Sequence, residues 1–273
     1  IFSKNRFPKD YDVVYAHTGS CVVALSGMID RRRTKLVCHQ HGLNYLTDYS
    51  PMSLIQRPVM ALARRAADLL FLVSDDASVK AYAKTQKGWT NAKMVAVNSP
   101  INLSRFDEGK LKDRIMSRDG AKASKFIYTG RLTPYKNVHT AVTAFAAYVR
   151  KHNPDAQFRI FGSGKEEEVV KKQIEHYGLQ KNVFVMGPVP HDELYPYLED
   201  ADMFLTASGG EGVSVSVLEA YASGLPVICF KVRGLEGQVK DHETGVFAPE
   251  HDAKGFYKAI IEADKIRTEM AYN

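Results

Sequence analysis

The sequence predicts an α/β fold with two doubly wound units, and three observations carry that prediction. Short apolar, β-branched runs alternate with longer segments of helical periodicity, the pattern of βαβ units on mainly parallel sheets buried on both faces. Glycine-bearing turns follow several of the runs, at strand ends where open α/β sheets meet their ligands. Near the middle, residues Ser104–Ser124 are rich in charge and poor in apolar periodicity, the composition of a domain boundary.

Taken in order, the candidate strands of the first part are Val13–Ala16, Lys35–His39, Leu69–Val73 and Met94–Val97. Helical patterns at Met52–Ala67 and Ala77–Thr85 lie between them. The second part alternates Lys125–Thr129, helix Val138–Arg150, Gln157–Phe161, helix Glu166–Tyr177, Val183–Met186, helix Asp192–Leu198, Met203–Thr206, helix Val213–Ala222, Val227–Phe230 and helix Ala253–Ala263. Five strands there approach a complete doubly wound sheet, whereas four precede the boundary. The expected organisation is a partial Rossmann-like domain over 1–105, a linker over 106–124, and a second Rossmann-like domain over 125–273. The chain opens at Ile1 without methionine, so its first strand–helix units are expected to be missing, and its end at Asn273 is expected to be cut as well.

Composition narrows the class. At 273 residues and 45% hydrophobic, the chain can build one large or two modest cores, and nothing in it resembles a disordered composition. No apolar run reaches the length of a bilayer span; Leu69–Val73 is strand-sized. Ile1-Phe-Ser-Lys-Asn-Arg6 has neither the apolar core nor the cleavage site of a secretory leader. The three cysteines, Cys21, Cys38 and Cys229, are far apart in apolar segments and read as buried free thiols in a reducing compartment. A cytoplasmic protein is the expectation.

The net charge of +6 is uneven: residues 1–105 hold 15 Lys+Arg against 7 Asp and no Glu, a balance of +8, leaving −2 for the rest. Arg31-Arg-Arg33 and the Arg57, Arg64, Arg65 group belong to this basic half. A solvated basic surface explains such charge, and an anionic membrane surface or anionic substrate is the functional alternative. No nucleic-acid motif accompanies it, so no nucleic-acid partner is expected.

Three segments carry chemistry. Gly130-Arg-Leu-Thr-Pro-Tyr-Lys136 follows a strand; Gly130 permits a sharp turn, and the Arg131 guanidinium and Lys136 ammonium suit a diphosphate. Pro134 stiffens the loop, and Asn137 is the expected N-cap of the next helix. Phe161-Gly162-Ser-Gly164 resembles a dinucleotide turn, but Glu167 stands where a third glycine belongs, and Glu166-Glu-Glu168 would repel a pyrophosphate. Glu211-Gly-Val-Ser-Val-Ser-Val-Leu-Glu219 holds two carboxylates around a small-residue turn, with Gly209, Gly210 and Gly212 freeing backbone N–H groups. Singly, the cations read as solvated loop residues and the carboxylates as structural. Together, acceptors for hydroxyls and cations for a diphosphate describe a nucleotide sugar.

Residues from about Lys125 to Ala263 resemble the retaining glycosyltransferases of family 4, which have the GT-B architecture of two Rossmann-like domains facing a cleft. The resemblance rests on Gly130-Arg131-Leu132 with Lys136-Asn137, Phe161-Gly-Ser-Gly164, Val183-Phe-Val-Met-Gly187, Ala201-Asp-Met-Phe-Leu205 and the two spaced glutamates, in order across a whole domain. It extends more weakly to Asp12–His17, Val37-Cys-His-Gln-His-Gly42, Ala67–Ser74 and Val97–Asn102.

The resemblance implies transfer of a sugar from a nucleoside diphosphate to an acceptor hydroxyl with retention. It assigns catalytic roles to Arg131 and Lys136 on the departing diphosphate, to Glu211 on donor-sugar hydroxyls, and to His41 near the reacting carbon. Gly130, Gly162, Gly164, Gly187, Gly212, Val213 and Ser214 would line the donor, and Glu219 would accept the ribose hydroxyls. His17 is a secondary candidate on the acceptor side. His39 shares a strand face with His41, yet no metal and no cofactor beyond the donor are expected. A UDP-sugar is the favoured donor, with GDP-mannose next; glycan, lipid-linked and protein acceptors are all open. A noncatalytic nucleotide-sugar-binding partner and a sugar-nucleotide epimerase of the same architecture are the alternatives.

Overall fold

The computed structural model describes residues 11–40, 51–73, 76–85, 90, 92–97, 100–117 and 120–271. The chain divides into two compact units, Ile1–Ser99 and Pro100–Asn273.

In the first unit the elements run β1 (Val13–Ala16), α1 (Gly19–Ser26), β2 (Lys35–Gln40), α2 (Pro51–Ala66), β3 (Leu69–Val73), α3 (Asp76–Thr85) and β4 (Lys93–Val97). The four strands are parallel and lie in chain order, β1-β2-β3-β4. Alternation splits each strand between two faces. Val14, Ala16, Leu36, Cys38, Leu70 and Leu72 join Val22, Met60, Ala63 and Tyr82 in one core. Opposite them, Val13 and Tyr15 are exposed. Helix α1 escapes sequence periodicity because Gly19–Ser26 is apolar nearly all round. Cys21, expected to be buried, is exposed on α1, while Cys38 and Cys229 are buried strand residues as expected. Burial pushes the Cys38 thiol up to about 11 and raises that of Cys229 further, so both are protonated structural thiols.

The second unit contains α4 (Glu108–Ser117), β5 (Lys125–Thr129), α5 (Val138–Lys151), β6 (Gln157–Phe161), α6 (Glu167–Tyr177), β7 (Val183–Gly187), α7 (His191–Asp200), β8 (Met203–Thr206), α8 (Val215–Ala222), β9 (Val227–Phe230), β10 (Gly245–Ala248) and α9 (Ala253–Ala271). Its six parallel strands take the order β10-β9-β8-β5-β6-β7, the doubly wound Rossmann order. The chain steps outward from β5 to β7, then returns to lay β8 against the other side of β5. The reversal point therefore lies between the ends of β5 and β8.

Period-two alternation again feeds two cores. Phe126 and Tyr128 of β5 pack with Val142, Phe145 and Tyr148 of α5 and Phe256 of α9. Ile127 faces the other way, with Leu198 of α7, Phe204 of β8, Val217 of α8 and Cys229 of β9. Strand β10 adds a sixth strand to the five expected, pairing residue by residue with β9 from Gly245 to Ala248. A four-residue strand beginning at glycine leaves too short a run to signal by itself. The charged stretch read as a boundary carries α4, whose Ile115 is buried. Arg114 of α4 donates to the carbonyls of Glu199, Ala201 and Ser223, tying this helix to α7, to the start of β8 and to the end of α8.

Candidate functional site

The loop after β5 begins at Gly130, whose N–H donates to the Phe161 carbonyl at 3.0 Å. Leu132 donates to the Ser163 carbonyl at 2.9 Å, and Gly162 donates to the Gly187 carbonyl at 2.9 Å, so the loops after β5, β6 and β7 lie backbone to backbone. A Cβ on Gly162 would stand 1.9 Å from the Gly130 carbonyl oxygen, and one on Gly164 would stand 2.2 Å from that of Leu132. Both glycines also have positive φ, 126° and 157°. Their first role is this close approach, which shapes the mouth of the sheet.

Residues Pro134–Lys136 form a 3-10 turn, closed by the Asn137 N–H on the Pro134 carbonyl at 3.1 Å. Asn137 stands at the N-cap of α5 as expected, but in the left-handed region and without a side-chain cap bond. The turn aims Lys136 at the loop after β8. There Nζ pairs with Oε1 of Glu211. Their side chains are 16% and 12% exposed, so solvent screens this pair less than a surface pair. The two loops are further joined by the Gly209 N–H on the Tyr135 carbonyl at 2.9 Å.

Arg131 is exposed on the same loop, and its side chain has no ion pair among the described residues. Beneath lies Tyr128, whose hydroxyl donates to the Arg131 carbonyl at 3.0 Å. Burial holds that phenol protonated well above its usual range; the Glu211 carboxylate reinforces the shift and the Arg131 guanidinium opposes it. Arg131, Lys136 and Glu211 thus surround one strand end, next to the reversal point of the sheet.

The Glu211–Ser214 loop is held from its far side by residues 233–238. Glu211 donates its N–H to the Arg233 carbonyl at 3.0 Å. The Gln238 amide brackets Ser214, accepting from its N–H at 2.7 Å and donating to its carbonyl at 3.1 Å. Helix α8 begins at Val215 with Ser214 as N-cap, two residues later than expected. Ser214, expected to line the donor, thus has its N–H engaged by Gln238.

Glu219 projects from the middle of α8 and is 4% exposed. A buried carboxylate needs a partner, and it has one in Nε2 of His191, the first residue of α7. Nδ1 of His191 in turn faces the Tyr195 hydroxyl at 3.2 Å. Neither His191 nor Tyr195 stands out by residue type or motif; only their i, i+4 spacing on a helix signals that the two side chains meet.

In the first unit, His17 follows β1, is exposed and stacks on His39, with ring centroids 5.3 Å apart. Nδ1 of His39 lies 2.5 Å from the Tyr15 hydroxyl. His41 lies outside the described residues. Among the described residues, no group of three or more His, Cys, Asp or Glu side chains is placed to hold a metal ion, and no helix is long and apolar enough to cross a membrane.

Residues 112–272 match the family model described as glycosyl transferases group 1, more than half of the chain and nearly all of the second unit. The chain belongs to this family.

Several relatives of this group 1 chain carry names from polysaccharide biosynthesis. It is 27% identical, over 94% of its own length and 63% of the relative's, to WcaL of Escherichia coli K12, a protein named as a glycosyltransferase of colanic acid biosynthesis. It is 29% identical to the amylovoran biosynthesis glycosyltransferase AmsK of Erwinia amylovora, over 66% of this chain and 47% of that one. A UDP-Gal:α-D-GlcNAc-diphosphoundecaprenol α-1,3-galactosyltransferase of Escherichia coli is 26% identical over 96% of this chain and 69% of its own length. The chain thus spans less than two thirds of WcaL and about half of AmsK. Among solved structures, Anabaena HepE in complex with UDP superposes with a TM-score of 0.73 at 22% identity, covering 96% of this chain and 72% of HepE. Sucrose-phosphate synthase of Thermosynechococcus elongatus superposes with a TM-score of 0.75 at 20% identity, over 96% and 68%. These likenesses establish the shared α/β, GT-B fold class with two Rossmann-like units.

Proposed function

We propose that this chain is the donor-binding unit and part of the acceptor-side unit of a retaining glycosyltransferase. It moves a sugar from a nucleoside-diphosphate sugar, a UDP-sugar first and GDP-mannose second, to an acceptor hydroxyl in polysaccharide or glycolipid synthesis. The observation that carries this reading is the meeting of Lys136 and Glu211 beside Arg131 at the reversal point of the six-stranded sheet. Open α/β sheets bind nucleotides at that place.

Each residue takes a role its chemistry suits. As the glycosidic bond to phosphate breaks, negative charge grows on the departing diphosphate, and Arg131 and Lys136 neutralise it. Lys136 starts paired with Glu211, so arrival of the diphosphate gives its ammonium a second anion while the carboxylate turns to donor-sugar hydroxyls. The N–H groups of Gly212 and Val213 add donors to that end. Glu219 accepts the ribose hydroxyls, and Gly130, Gly162, Gly164 and Gly187 keep the strand ends low enough for a nucleotide to approach. His41 contacts the sugar near its anomeric carbon, and His17 serves the acceptor side. Glu211 acts by binding hydroxyls, so retention proceeds by a front-face, ion-pair-like displacement in which a leaving phosphate oxygen takes the acceptor proton.

The relatives' printed names support a lipid-linked or polysaccharide acceptor, and the basic first unit supports approach to an anionic membrane surface. The deciding experiment is a product assay of the full-length protein with a panel of UDP-, GDP- and ADP-sugars and lipid-linked acceptors. A product that keeps the donor's anomeric configuration is expected. Nucleotide binding with no transfer from any donor would favour a noncatalytic partner, and inversion or a trapped glycosyl adduct on Glu211 would overturn the mechanism.

A further inference from the structure

We propose that His191, backed by Tyr195, is a positioning residue for the nucleotide's ribose: it occupies one oxygen of Glu219 and leaves the other to accept the ribose hydroxyls. The proposal rests on the reading of Glu219 as the ribose acceptor.

The argument starts from the carboxylate. Glu219 is 4% exposed on a helix that packs into an apolar core, a place where an unpartnered charge is costly. Its Oε1 meets Nε2 of His191, while Nδ1 of the same ring meets the Tyr195 hydroxyl at 3.2 Å. An ionised carboxylate only accepts, so Nε2 carries a proton and donates to Glu219, and the Tyr195 hydroxyl, able to donate or accept, partners Nδ1. A ring with its proton on Nδ1 alone would set the Nε2 lone pair against a carboxylate oxygen.

Tyr195 is itself clamped. It is 8% exposed, Phe106 meets its ring edge-on with centroids 5.1 Å apart, and the Arg105 guanidinium lies 5.3 Å from its ring centre. Arg105 also pairs with Asp192, the neighbour of His191 on α7. The order imposed on Tyr195 passes through His191 to a single carboxylate oxygen. His191 is the solvent-facing member, with its side chain 58% exposed, so the pair opens to the side from which a ligand arrives. A histidine that merely neutralised a buried acid would protect stability without regard to the ligand's sugar. One that orients the acid makes affinity depend on the ribose hydroxyls.

The experiment is calorimetric titration of the full chain with UDP and with 2′,3′-dideoxyuridine diphosphate. His191→Ala is expected to weaken UDP about tenfold, the scale of a hydrogen bond to a charged group. His191→Gln, whose amide N–H reaches the place of Nε2, is expected to recover most of that loss. Against the dideoxy nucleotide, wild type and His191→Ala should bind equally. Should His191→Ala fail to fold, Tyr195→Phe replaces it, with a smaller loss of the same ribose dependence. Equal losses for both nucleotides, or unchanged UDP affinity in a folded variant, would overturn the positioning role alone. Failure of the wild type to bind UDP, GDP or ADP would overturn the transferase reading and this role together.

Discussion

The two units use the same βα grammar and differ in strand order. In the first, β1 to β4 succeed one another across the sheet; in the second, the chain returns past its own first strand before continuing. A sequential sheet brings each strand end next to its immediate successor. A sheet with a reversal parts two neighbouring loops, after β5 and after β8, and lets both address one ligand. The cations and carboxylates gather at that reversal, whereas the described part of the first unit shows an aromatic face of Tyr15, His17, His39 and Phe71. Topology sets where charge chemistry can converge.

The sharpest way to break this contrast is to compare substitutions in the two units. Lys136→Ala and Glu211→Ala should each cut transfer about 10²-fold, the effect of losing one transition-state contact. His17→Ala should act on acceptor KM and leave donor affinity unchanged. Steady-state kinetics with donor and acceptor varied separately would check this, and a His17 effect as large as that of Lys136 would erase the distinction.

A second test addresses backbone packing. Gly162→Ala should cost about 3 kcal/mol, because its Cβ would collide with the Gly130 carbonyl at a φ that side chains rarely adopt. Gly27→Ala in the first unit, with nothing within 4 Å and an ordinary φ, should change stability by less than about 0.5 kcal/mol. Denaturant titration of the full chain reads both. Between these two falls Arg114→Ala, expected to lose about 2 kcal/mol from the second unit's transition as three backbone carbonyls lose their donor.

The gentlest probe is pH. Burial pushes Asp68 up, but the Leu36 N–H and Arg31 outweigh it and leave its pKa lowered. Asp200 behaves alike: burial raises it, and Lys125 and Arg159 bring it below the ordinary value. Their stabilisation is full above about pH 3.9, the unfolded value, and is lost as pH falls through the lower folded pKa, so acid should weaken both units. His242, in the second unit, is raised chiefly by its bond to Glu262. Its contribution is full below about pH 6.5 and fades as pH rises through the folded pKa, so mild alkali should weaken the second unit selectively. Thermal unfolding across a pH series, with His242→Gln as control, would show whether that asymmetry exists.

Much of the fold was legible because buried parallel strands are apolar runs: β5, β6, β8 and β9 match their expected bounds residue for residue. What escaped had weak or conflicting signals. Helix α1 is too uniformly apolar to show a periodicity, β10 is too short, and α4 is charged except where Leu111 and Ile115 meet the turn at Gly224. Cys21 was misread because an apolar neighbourhood in sequence became an exposed face of a helix. In the site, the Arg131–Lys136 loop and the two glutamates could be named from residue types. The Gln238 bracket on Ser214 and the His191 contact to Glu219 could not, because each partner is more than twenty residues away.

By itself the sequence determined the alternation of strand and helix, the glycine turns at the strand ends, and the stock of cations and carboxylates in the loops that follow them. Those are local properties, written in apolar period and residue type. Only the tertiary structure decided that Lys136 meets Glu211 across 75 residues, that Gly162 exists to clear a carbonyl, and that Glu219 is held by a histidine. Strand order makes those contacts, and it follows from how the cores pack, which no single segment encodes.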